Sequence, residues 1–477
     1  MIKVYNVLNH KKEDFIPQDG DNVKMYACGI TASGSAHVGH AYQAVIFDVI
    51  RSYLEYSGYN VKYVRNYTDV DDKIIIKARE LGVNPSDYAK KMMSEIDSQF
   101  EQLGINPPTI CSRATDCIPD MIAFISKLIE TGHAYPTETG DVYFKVSSYP
   151  KYGSFSNRTE GDDLLSGVRI DNEPGKQDDR DFALWKAAGD DEIFWESPWG
   201  KGRPGWHIEC STMSMKFLGE TLDIHGGGKD LIFPHHENEI AQSESLTGKT
   251  FSKYWLHNGL VKVNGQKMSK SLNNGILLSD LLKEFNPDVI KLTLLMNNYR
   301  SDINIMDGIF SSNESKIYEI YKLFDKIDRH SEGLSIANGN ALSDKIKADF
   351  KAAMDNDFNT GLATANLFGY IPELTKLVNK GDWESAYTVK SALTEVFGVL
   401  RLLNQNPKSA VSGIRQKYLD KFGLDEAYVN EQLEKWIALK KDKNFSEADV
   451  IRNGLAEKGI LLGSDRSGES FWDVKFN

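Results

Sequence analysis

The chain has 477 residues, of which 41% are hydrophobic, 26% charged and 11% aromatic, a composition typical of globular proteins rather than fibrous or disordered ones. This length exceeds what one compact core needs, so we expect two to four domains. The formal net charge of −12 argues against a uniformly nucleic-acid-binding surface, although a net sum does not locate the basic residues.

The sequence predicts neither a membrane span nor a secretory signal. No apolar run approaches the roughly 20 residues that a membrane helix needs, and the first residues lack a basic segment followed by an apolar one. The four cysteines include no Cys-x-x-Cys pair, which favours free or metal-bound thiols in a reducing compartment. We therefore expect a cytoplasmic protein.

The N-terminal part predicts a strand, a helix and a second strand. Residues 23–27 alternate like a strand, and apolar residues then recur with a helical period from Val38 to Leu54. Ser35 is the predicted N-cap of this helix. A second apolar strand covers residues 61–67. A βαβ unit of this kind indicates a parallel, Rossmann-like sheet that binds a nucleotide.

An insertion and a helical region are predicted to follow. A helix over 118–129 leads to a strand over 141–145 and then to a polar stretch, 147–180, with little periodicity. The α/β pattern returns with a strand over 221–225. Beyond residue 312 the pattern is almost wholly helical, and we interpret residues 404–412 as a linker.

We therefore predict an α/β fold with a Rossmann-like catalytic domain, an insertion, an α-helical bundle and a small C-terminal domain. The predicted boundaries are 1–114 for the first half of the catalytic domain, 115–203 for the connective insertion, 204–312 for the second half with its late basic loop, 313–404 for the helical bundle and 411–477 for the C-terminal domain. That last segment holds eleven Lys and Arg against twelve Asp and Glu, and it places Trp436 near lysines. Such a tail is compatible with RNA contact.

The string His37-Val38-Gly39-His40 stands at the predicted start of the first helix. Backbone N–H groups at a helix N-terminus attract phosphate, and two imidazoles one turn apart add donors. Gly39 allows a nucleotide to approach the backbone. Taken alone, two histidines at this spacing are more often a surface pair.

A second basic string, Lys267-Met268-Ser269-Lys270-Ser271, follows a predicted strand over 260–263 and an Asn264-Gly265 turn. Lysines that flank small hydroxyl residues in a loop can bind a polyphosphate. A lysine-rich loop is otherwise a solvated surface feature.

Together, the two strings in this order resemble those of the class I aminoacyl-tRNA synthetases. Further stretches narrow the resemblance to the cysteinyl-tRNA synthetases: residues 26–31, 65–73, 202–210, 223–228, 233–239, 299–301, 357–360 and 440–449. Nearly the whole chain is covered. The resemblance implies catalytic roles for His37, His40, Lys267 and Lys270.

The resemblance also implies one zinc ion per chain, held by Cys28, Cys210, His235 and Glu239. Their sequence spacing alone would not group these four, although His235 and Glu239 would share one helix face. Zinc accepts sulfur, nitrogen and oxygen ligands, and a substrate thiolate binds it far better than a hydroxyl does. The alternative is that the cysteines are small buried apolar residues.

The remaining implied site residues belong to the amino-acid pocket and to the nucleotide. The resemblance implies substrate-binding roles for Gly29, Thr31, Thr68 and Trp206. It implies ATP-binding roles for His225 and Gly227, in addition to His37, His40 and Lys270. Trp206 could equally be a core aromatic residue.

The implied reaction is ATP-dependent activation of cysteine to cysteinyl-adenylate, followed by transfer to the 3′ end of tRNA. We expect cysteine, ATP with Mg²⁺, and tRNA as partners, no membrane, and a monomer. The alternatives are a cysteine ligase that acts on an aminosugar, a catalytically impaired tRNA-binding paralogue, and a generic nucleotidyltransferase. The family usually reads Thr-Val-Tyr-Asp where this chain has Thr31-Ala32-Ser33-Gly34, so an aromatic side chain and a carboxylate are missing.

Overall fold

The computed structural model describes residues 1–158, 175–189, 192–268, 275–337, 339–464, 468 and 470–476. The chain divides into two compact units. The first unit contains Met1–Ser279, Asn297–Asn304 and Ala352–Leu362, and the second contains Asp280–Met296, Ile305–Lys351 and Ala363–Asn477.

The described strands and helices are numbered here in chain order. The strands are β1 (Lys3–Asn6), β2 (Lys11–Asp14), β3 (Asn22–Thr31), β4 (Asn60–Thr68), β5 (Ile110–Arg113), β6 (Ala134–Pro136), β7 (Val142–Phe144), β8 (Phe182–Ala187), β9 (Gly202–Pro204), β10 (Leu222–Gly228), β11 (Ser252–Asn258), β12 (Val261–Val263), β13 (Gln266–Lys267), β14 (Ile303–Ile305), β15 (Ile460–Ser464) and β16 (Ser470–Val474). The helices are α1 (Val38–Tyr56), α2 (Asp72–Leu81), α3 (Pro85–Leu103), α4 (Ile118–Glu130), α5 (Trp206–Leu218), α6 (Glu237–Thr247), α7 (Leu278–Glu284), α8 (Pro287–Leu295), α9 (Ile309–His330), α10 (Ala341–Asp355), α11 (Thr360–Gly369), α12 (Ile371–Lys380), α13 (Trp383–Val399), α14 (Pro407–Phe422), α15 (Glu426–Lys441) and α16 (Phe445–Glu457).

A five-stranded parallel sheet forms the centre of the first unit, as the sequence predicted. Its strand order is β11-β10-β3-β4-β5, and every neighbouring pair is parallel. Strand β10 and the middle of β3, residues 25–28, are buried, as expected for strands that helices cover on both faces. Because β4 lies on one side of β3 and β10 on the other, the order reverses at β3. In such sheets, ligands bind in the crevice at the carboxyl ends of the strands beside that reversal.

The predicted N-cap of α1 is wrong. The capping residue is His37, whose side chain accepts hydrogen bonds from the backbone N–H groups of Gly39 and His40. The Ser35 hydroxyl instead donates to Glu95 at 2.7 Å. The imidazole takes the acceptor role that serine, threonine or asparagine usually fill at this position.

The insertion forms its own antiparallel sheet in the order β6-β7-β8-β9. The predicted helix over 118–129 is α4, and the strand expected over 141–145 is β7. Within the stretch predicted to be irregular, 147–180, residues 159–174 lie outside the described residues.

The second unit is mostly helical, with two differences from the expectation. Helix α14 begins at Pro407, inside the predicted linker, because Asn406 caps it and proline is tolerated in a first helical turn. The C-terminal segment also contains an antiparallel hairpin, β15 with β16. In this hairpin Asp473 accepts hydrogen bonds from Tyr318 and Lys322 of α9, which fixes the last strand to that helix.

Candidate active site

The four predicted metal ligands lie together in the crevice where the strand order reverses. Cys28 is on β3, Cys210 on α5, His235 just before α6, and Glu239 on α6. All four are buried, and one donor atom from each lies within 4.8 Å of the others. The Glu239 Oε1 atom is 3.0 Å from His235 Nε2 and 3.3 Å from Cys28 Sγ. Two sulfurs, one nitrogen and one oxygen are a donor set suited to zinc.

A second set of donors overlaps the first and shares Cys28 and Glu239 with it. Its other members are His225 and His236, and all four side chains are buried. His225 Nε2 is 3.3 Å from Glu239 Oε2, and His236 Nε2 is 3.3 Å from Cys28 Sγ. The structure therefore places the His225 ring in this cluster, where it has no exposed surface. The ATP-binding role predicted for His225 stays a prediction.

Two more histidines contact the outer side of the cluster. His207 Nδ1 lies 3.0 Å from His235 Nδ1, and His257 Nε2 lies 2.7 Å from His236 Nδ1. Neither of these residues, nor His236, was predicted from the sequence to belong to the site. Outer partners of this kind fix the tautomer and orientation of metal-binding imidazoles.

The electrostatics of the cluster favour a bound cation. Hydrogen bonding from the Cys28 thiol lowers the pKa of Cys210 to about 6, against the effect of burial. Burial alone would raise the pKa of Glu239, but His225 and His235 hold it well below its ordinary value. Burial alone would lower the pKa of His235, but Glu239 and Cys210 raise it to about 10. A metal cation would replace the proton on His235 and satisfy the anionic thiolate and carboxylate.

The histidines of the first string begin α1. The Nδ1 atom of His37 accepts from the backbone N–H groups of Gly39 at 3.1 Å and His40 at 3.3 Å. A neutral His37 ring therefore carries its proton on Nε2. The rings of His37 and His40 stack with their centroids 3.6 Å apart.

The lysines of the second string are only partly described. The backbone of Lys267 ends β13, while Lys270 and its neighbours over 269–274 lie outside the described residues. The described residues on both sides of that gap lie beside the first string. The Met268 side chain lies 3.4 Å from the place that a Cβ on Gly39 would take, and Val38 donates its N–H to the Ile276 carbonyl at 2.9 Å.

A cavity of about 340 Å³ opens beside the cluster of predicted metal ligands. It is lined by Thr31, Trp206, His207 and Glu209, among others. Trp206 is 40% exposed, and its ring centroid lies 4.2 Å from that of His235, so it is not a core residue. The predicted pocket residue Thr68 donates its hydroxyl to Glu209 at 2.6 Å.

The two predicted glycine positions each have a steric reason. A Cβ at Gly29 would stand 1.5 Å from the carbonyl oxygen of Asn66, so β3 and β4 could not approach as they do. A Cβ at Gly227 would stand 3.0 Å from the His236 ring. Both glycines therefore let the walls of the crevice close around the cluster, whatever their part in substrate binding.

The stretch that departs from the usual family pattern lies at the end of β3. Ala32 is buried, and its N–H donates to the Thr68 carbonyl at 2.9 Å. Among the described residues, no atom lies within 4 Å of the place that a Cβ on Gly34 would take.

Comparison with known proteins agrees with this arrangement. Residues 14–315 match the family described as tRNA synthetases class I (C) catalytic domain, and residues 349–406 match the DALR domain. The cysteine–tRNA ligase of Thermodesulfovibrio yellowstonii is 42% identical over the full length of both chains. The chain belongs to the cysteine–tRNA ligase family.

Other members of the family match at similar levels. The cysteine–tRNA ligase of Geobacter sulfurreducens is 40% identical, with 99% of this chain and 100% of that protein covered. The methionyl-tRNA synthetase of Mycobacterium tuberculosis, solved with methionyl-adenylate, has a TM-score of 0.61 at 17% identity, with 85% of this chain and 94% of that one covered. That likeness confirms the class I synthetase fold.

In the described part of the chain, no helix is both long and apolar enough to cross a membrane.

Proposed function

We propose that this chain is a cysteinyl-tRNA synthetase, which activates cysteine with ATP and transfers the cysteinyl group to the 3′ end of tRNA. The observation that carries the proposal is the buried set of Cys28, Cys210, His235 and Glu239 in the ligand crevice of a chain from this family. A thiol-recognising site at this position supports cysteine as the amino acid.

Zinc is the metal that this donor set fits best, because thiolate pairs favour zinc over the harder cations. Cys210 belongs only to the first of the two overlapping sets, so we assign the ligands to that set and an orienting role to His225 and His236. Bound zinc would supply a Lewis-acidic position that prefers a thiolate to the hydroxyl of serine.

The chain's own residues would align the reactants and stabilise charge. A carboxylate is already a nucleophile at neutral pH, so activation needs no strong general base. His37, with its proton on Nε2, and His40 would donate to the α-phosphate of ATP, assisted by the backbone N–H groups that begin α1. Lys270, with Lys267, would bind the β- and γ-phosphates, and Mg²⁺ would accompany ATP.

The amino acid would occupy the cavity beside the cluster. Trp206 and Thr31 would line it around the substrate, Thr68 would act on it through Glu209, and the backbone at Gly29 would stand beside the cluster. Gly227 would shape the nucleotide side of the crevice. The helical bundle over 313–404 and the small domain over 411–477 would contact tRNA.

Two reactions test the proposal. Cysteine-dependent exchange of pyrophosphate into ATP should occur without tRNA, serine should support it poorly, and the protein should then charge cysteine tRNA. Absence of cysteine-dependent exchange in metal-loaded protein would refute the proposal.

A second candidate, ligation of cysteine to an aminosugar, is favoured by one observation. The aromatic and acidic side chains that usually stand beside the reaction centre are replaced here by Ser33 and Gly34. The DALR match over 349–406 favours tRNA instead. Normal exchange combined with failure to charge any tRNA, and with ligation of an aminosugar, would select the second candidate.

A further inference from the structure

Glu209 is a buried acidic residue for which the proposed mechanism gives no role. It lies in the first turn of α5, three residues after Trp206 and directly before the metal ligand Cys210. Only 1% of its surface is exposed, yet it contributes to the wall of the cavity that Thr31 and Trp206 also line. One helical turn therefore presents an aromatic ring, a carboxylate and a metal ligand to the same region.

Two cations that line the same cavity as Glu209, Lys186 and Arg203, pair with Asp72 instead. The Thr68 hydroxyl donates at 2.6 Å to the Oε2 atom of Glu209. Its neighbours Cys210, Asp71 and Asp69 are acidic and act on it electrostatically. Among the described residues, none of the ion pairs includes Glu209. A buried carboxylate without a cation is costly, so a cationic ligand at this wall would be strongly stabilised.

A neighbouring buried glutamate shows the contrast. Glu237 begins α6, and its two carboxylate oxygens accept backbone N–H groups from Gly153 and Ser156, each at 2.8 Å. Its position is explained by the fold, because it joins the insertion to α6. Glu209 has one hydroxyl partner and borders a cavity instead.

We propose that the Glu209 carboxylate binds the α-ammonium group of the amino-acid substrate. The inference rests on the proposed function, since it concerns the same site. In cysteine only two carbon atoms separate the sulfur from the nitrogen. A substrate whose thiol reaches the cluster at Cys210 therefore carries its ammonium group close to the neighbouring residue on α5. Thr68 holds the carboxylate in place, which makes it a positioning residue.

This assignment divides recognition between two groups. The metal cluster selects the thiol, and Glu209 selects the ammonium group. With both ends held, the substrate carboxylate is left as the group that reacts with ATP. Glu209 would therefore distinguish an α-amino acid from a mercapto-carboxylic acid that lacks the ammonium group.

The test compares ligands with and without the ammonium group in the metal-loaded, full-length protein. Glu209→Gln keeps the shape and the acceptor for Thr68 but removes the charge. Calorimetry should show that the variant binds L-cysteine and cysteine methyl ester roughly 10- to 100-fold more weakly, as expected for a lost charge-assisted hydrogen bond. Binding of 3-mercaptopropionic acid, which lacks the ammonium group, should be unchanged, as should the metal content. Equal weakening for all three ligands would overturn the assignment.

Two further measurements keep the assignment testable. Glu237→Gln is the matched control, and it should lower thermal stability without changing the preference for L-cysteine over 3-mercaptopropionic acid. If Glu209→Gln does not fold, the unsubstituted protein decides, because it must bind L-cysteine at least roughly 10-fold more tightly than 3-mercaptopropionic acid. If the protein performs cysteine-dependent exchange but binds the two ligands equally, only the role of Glu209 is refuted. Absence of exchange would instead refute the proposed function.

Discussion

The two units of this chain differ in where their polar and charged side chains gather. In the first unit, donors from β3, α5 and α6 converge in a buried crevice, and buried ring nitrogens such as His225 Nδ1 and His257 Nδ1 have no hydrogen-bond partner among the described residues. In the second unit, a buried charge such as Asp288 is paired locally, with Lys291 at 3.0 Å. The second unit instead exposes apolar and basic side chains on α15 and α16, where Phe445 is 59% and Val450 71% exposed.

The two arrangements suit two different functions, chemistry on a small substrate and contact with a nucleic acid. Chemistry on a small substrate needs groups that are held in a dry site and left unsatisfied until the ligand arrives. Contact with a polyanion such as tRNA needs exposed, adaptable groups. The comparison therefore predicts that variants in the first unit change the activation of cysteine, while those in the second change stability or the use of tRNA.

The largest effect is expected from Cys28→Ser. This change removes a donor common to both overlapping sets, so bound zinc should fall far below one per chain, and cysteine-dependent exchange should fall at least roughly 10³-fold. Elemental analysis after gel filtration and exchange assays measure both. Cys111→Ser, which alters an exposed cysteine outside the cluster, is the control and should retain metal and activity. Full exchange by metal-free protein would exclude a role for zinc.

A smaller loss is expected for Lys270→Ala. Removal of one charge-stabilising donor typically slows the reaction by roughly 10²- to 10³-fold, so exchange should fall by that factor. Calorimetric binding of cysteine should hardly change, since the lysine acts on phosphate. Lys249→Ala, at an exposed lysine that pairs with Glu220, serves as the control. An unaltered exchange rate in the Lys270 variant would mean that this loop is a solvated surface feature.

The two basic strings and the cluster of predicted metal ligands also differ in how well the sequence predicts them. The strings at His37 and Lys267 are contiguous, so the order of the amino acids is enough to recognise them. The cluster draws on segments from β3 to β11, and sequence spacing cannot group residues that only the sheet topology brings together. The four ligands were predicted from the family resemblance, and the outer histidines His207 and His257 were missed because each lies within an ordinary-looking helix or strand.

The fold shows the same division between local and long-range information. The parallel sheet was predictable because β3, α1 and β4 each have a clear hydrophobic period. The N-cap of α1 was mispredicted because an imidazole took the usual role of serine. Trp436, expected to face RNA, is only 5% exposed and has Lys440 Nζ 4.1 Å from its ring centroid, because tertiary packing of α15 decides which side chains are buried.

A pH effect is expected in the second unit. Burial raises the pKa of Glu314 from 4.5 to about 7, although Tyr418 donates a hydrogen bond to it at 3.2 Å. Because the folded state holds this proton more tightly than the unfolded state, stability should decrease as pH rises from about 4.5 to about 7 and then level off. The shift corresponds to at most about 3 kcal/mol. Glu314→Gln should therefore raise the melting temperature more at pH 8 than at pH 5.

Thermal unfolding at several pH values measures this effect, and exchange should be unchanged at pH 8. Glu373→Gln, at an exposed residue that pairs with Lys376 in the same unit, should show no comparable pH-dependent gain. An equal gain for Glu314→Gln at pH 5 and pH 8 would contradict the assignment of this titration to Glu314.

The smallest effect is expected at the exposed surface of the C-terminal segment. Lys441 ends α15 and Lys443 lies between that helix and the exposed Phe445, and both lysines are exposed. If this surface contacts the tRNA backbone, the double change Lys441→Gln and Lys443→Gln should raise the KM for tRNA a few-fold. It should also make the salt dependence of tRNA binding shallower by roughly one to two in log–log slope. Exchange without tRNA should be unchanged, because neither lysine is proposed to contact a substrate of the activation step.

The control is the double change Lys376→Gln and Lys380→Gln in α12, which removes the same charge elsewhere in the unit and should leave the slope unaltered. Identical slopes for both double variants would mean that the lysines act only through net charge, and the C-terminal segment would then serve to stabilise the helical unit.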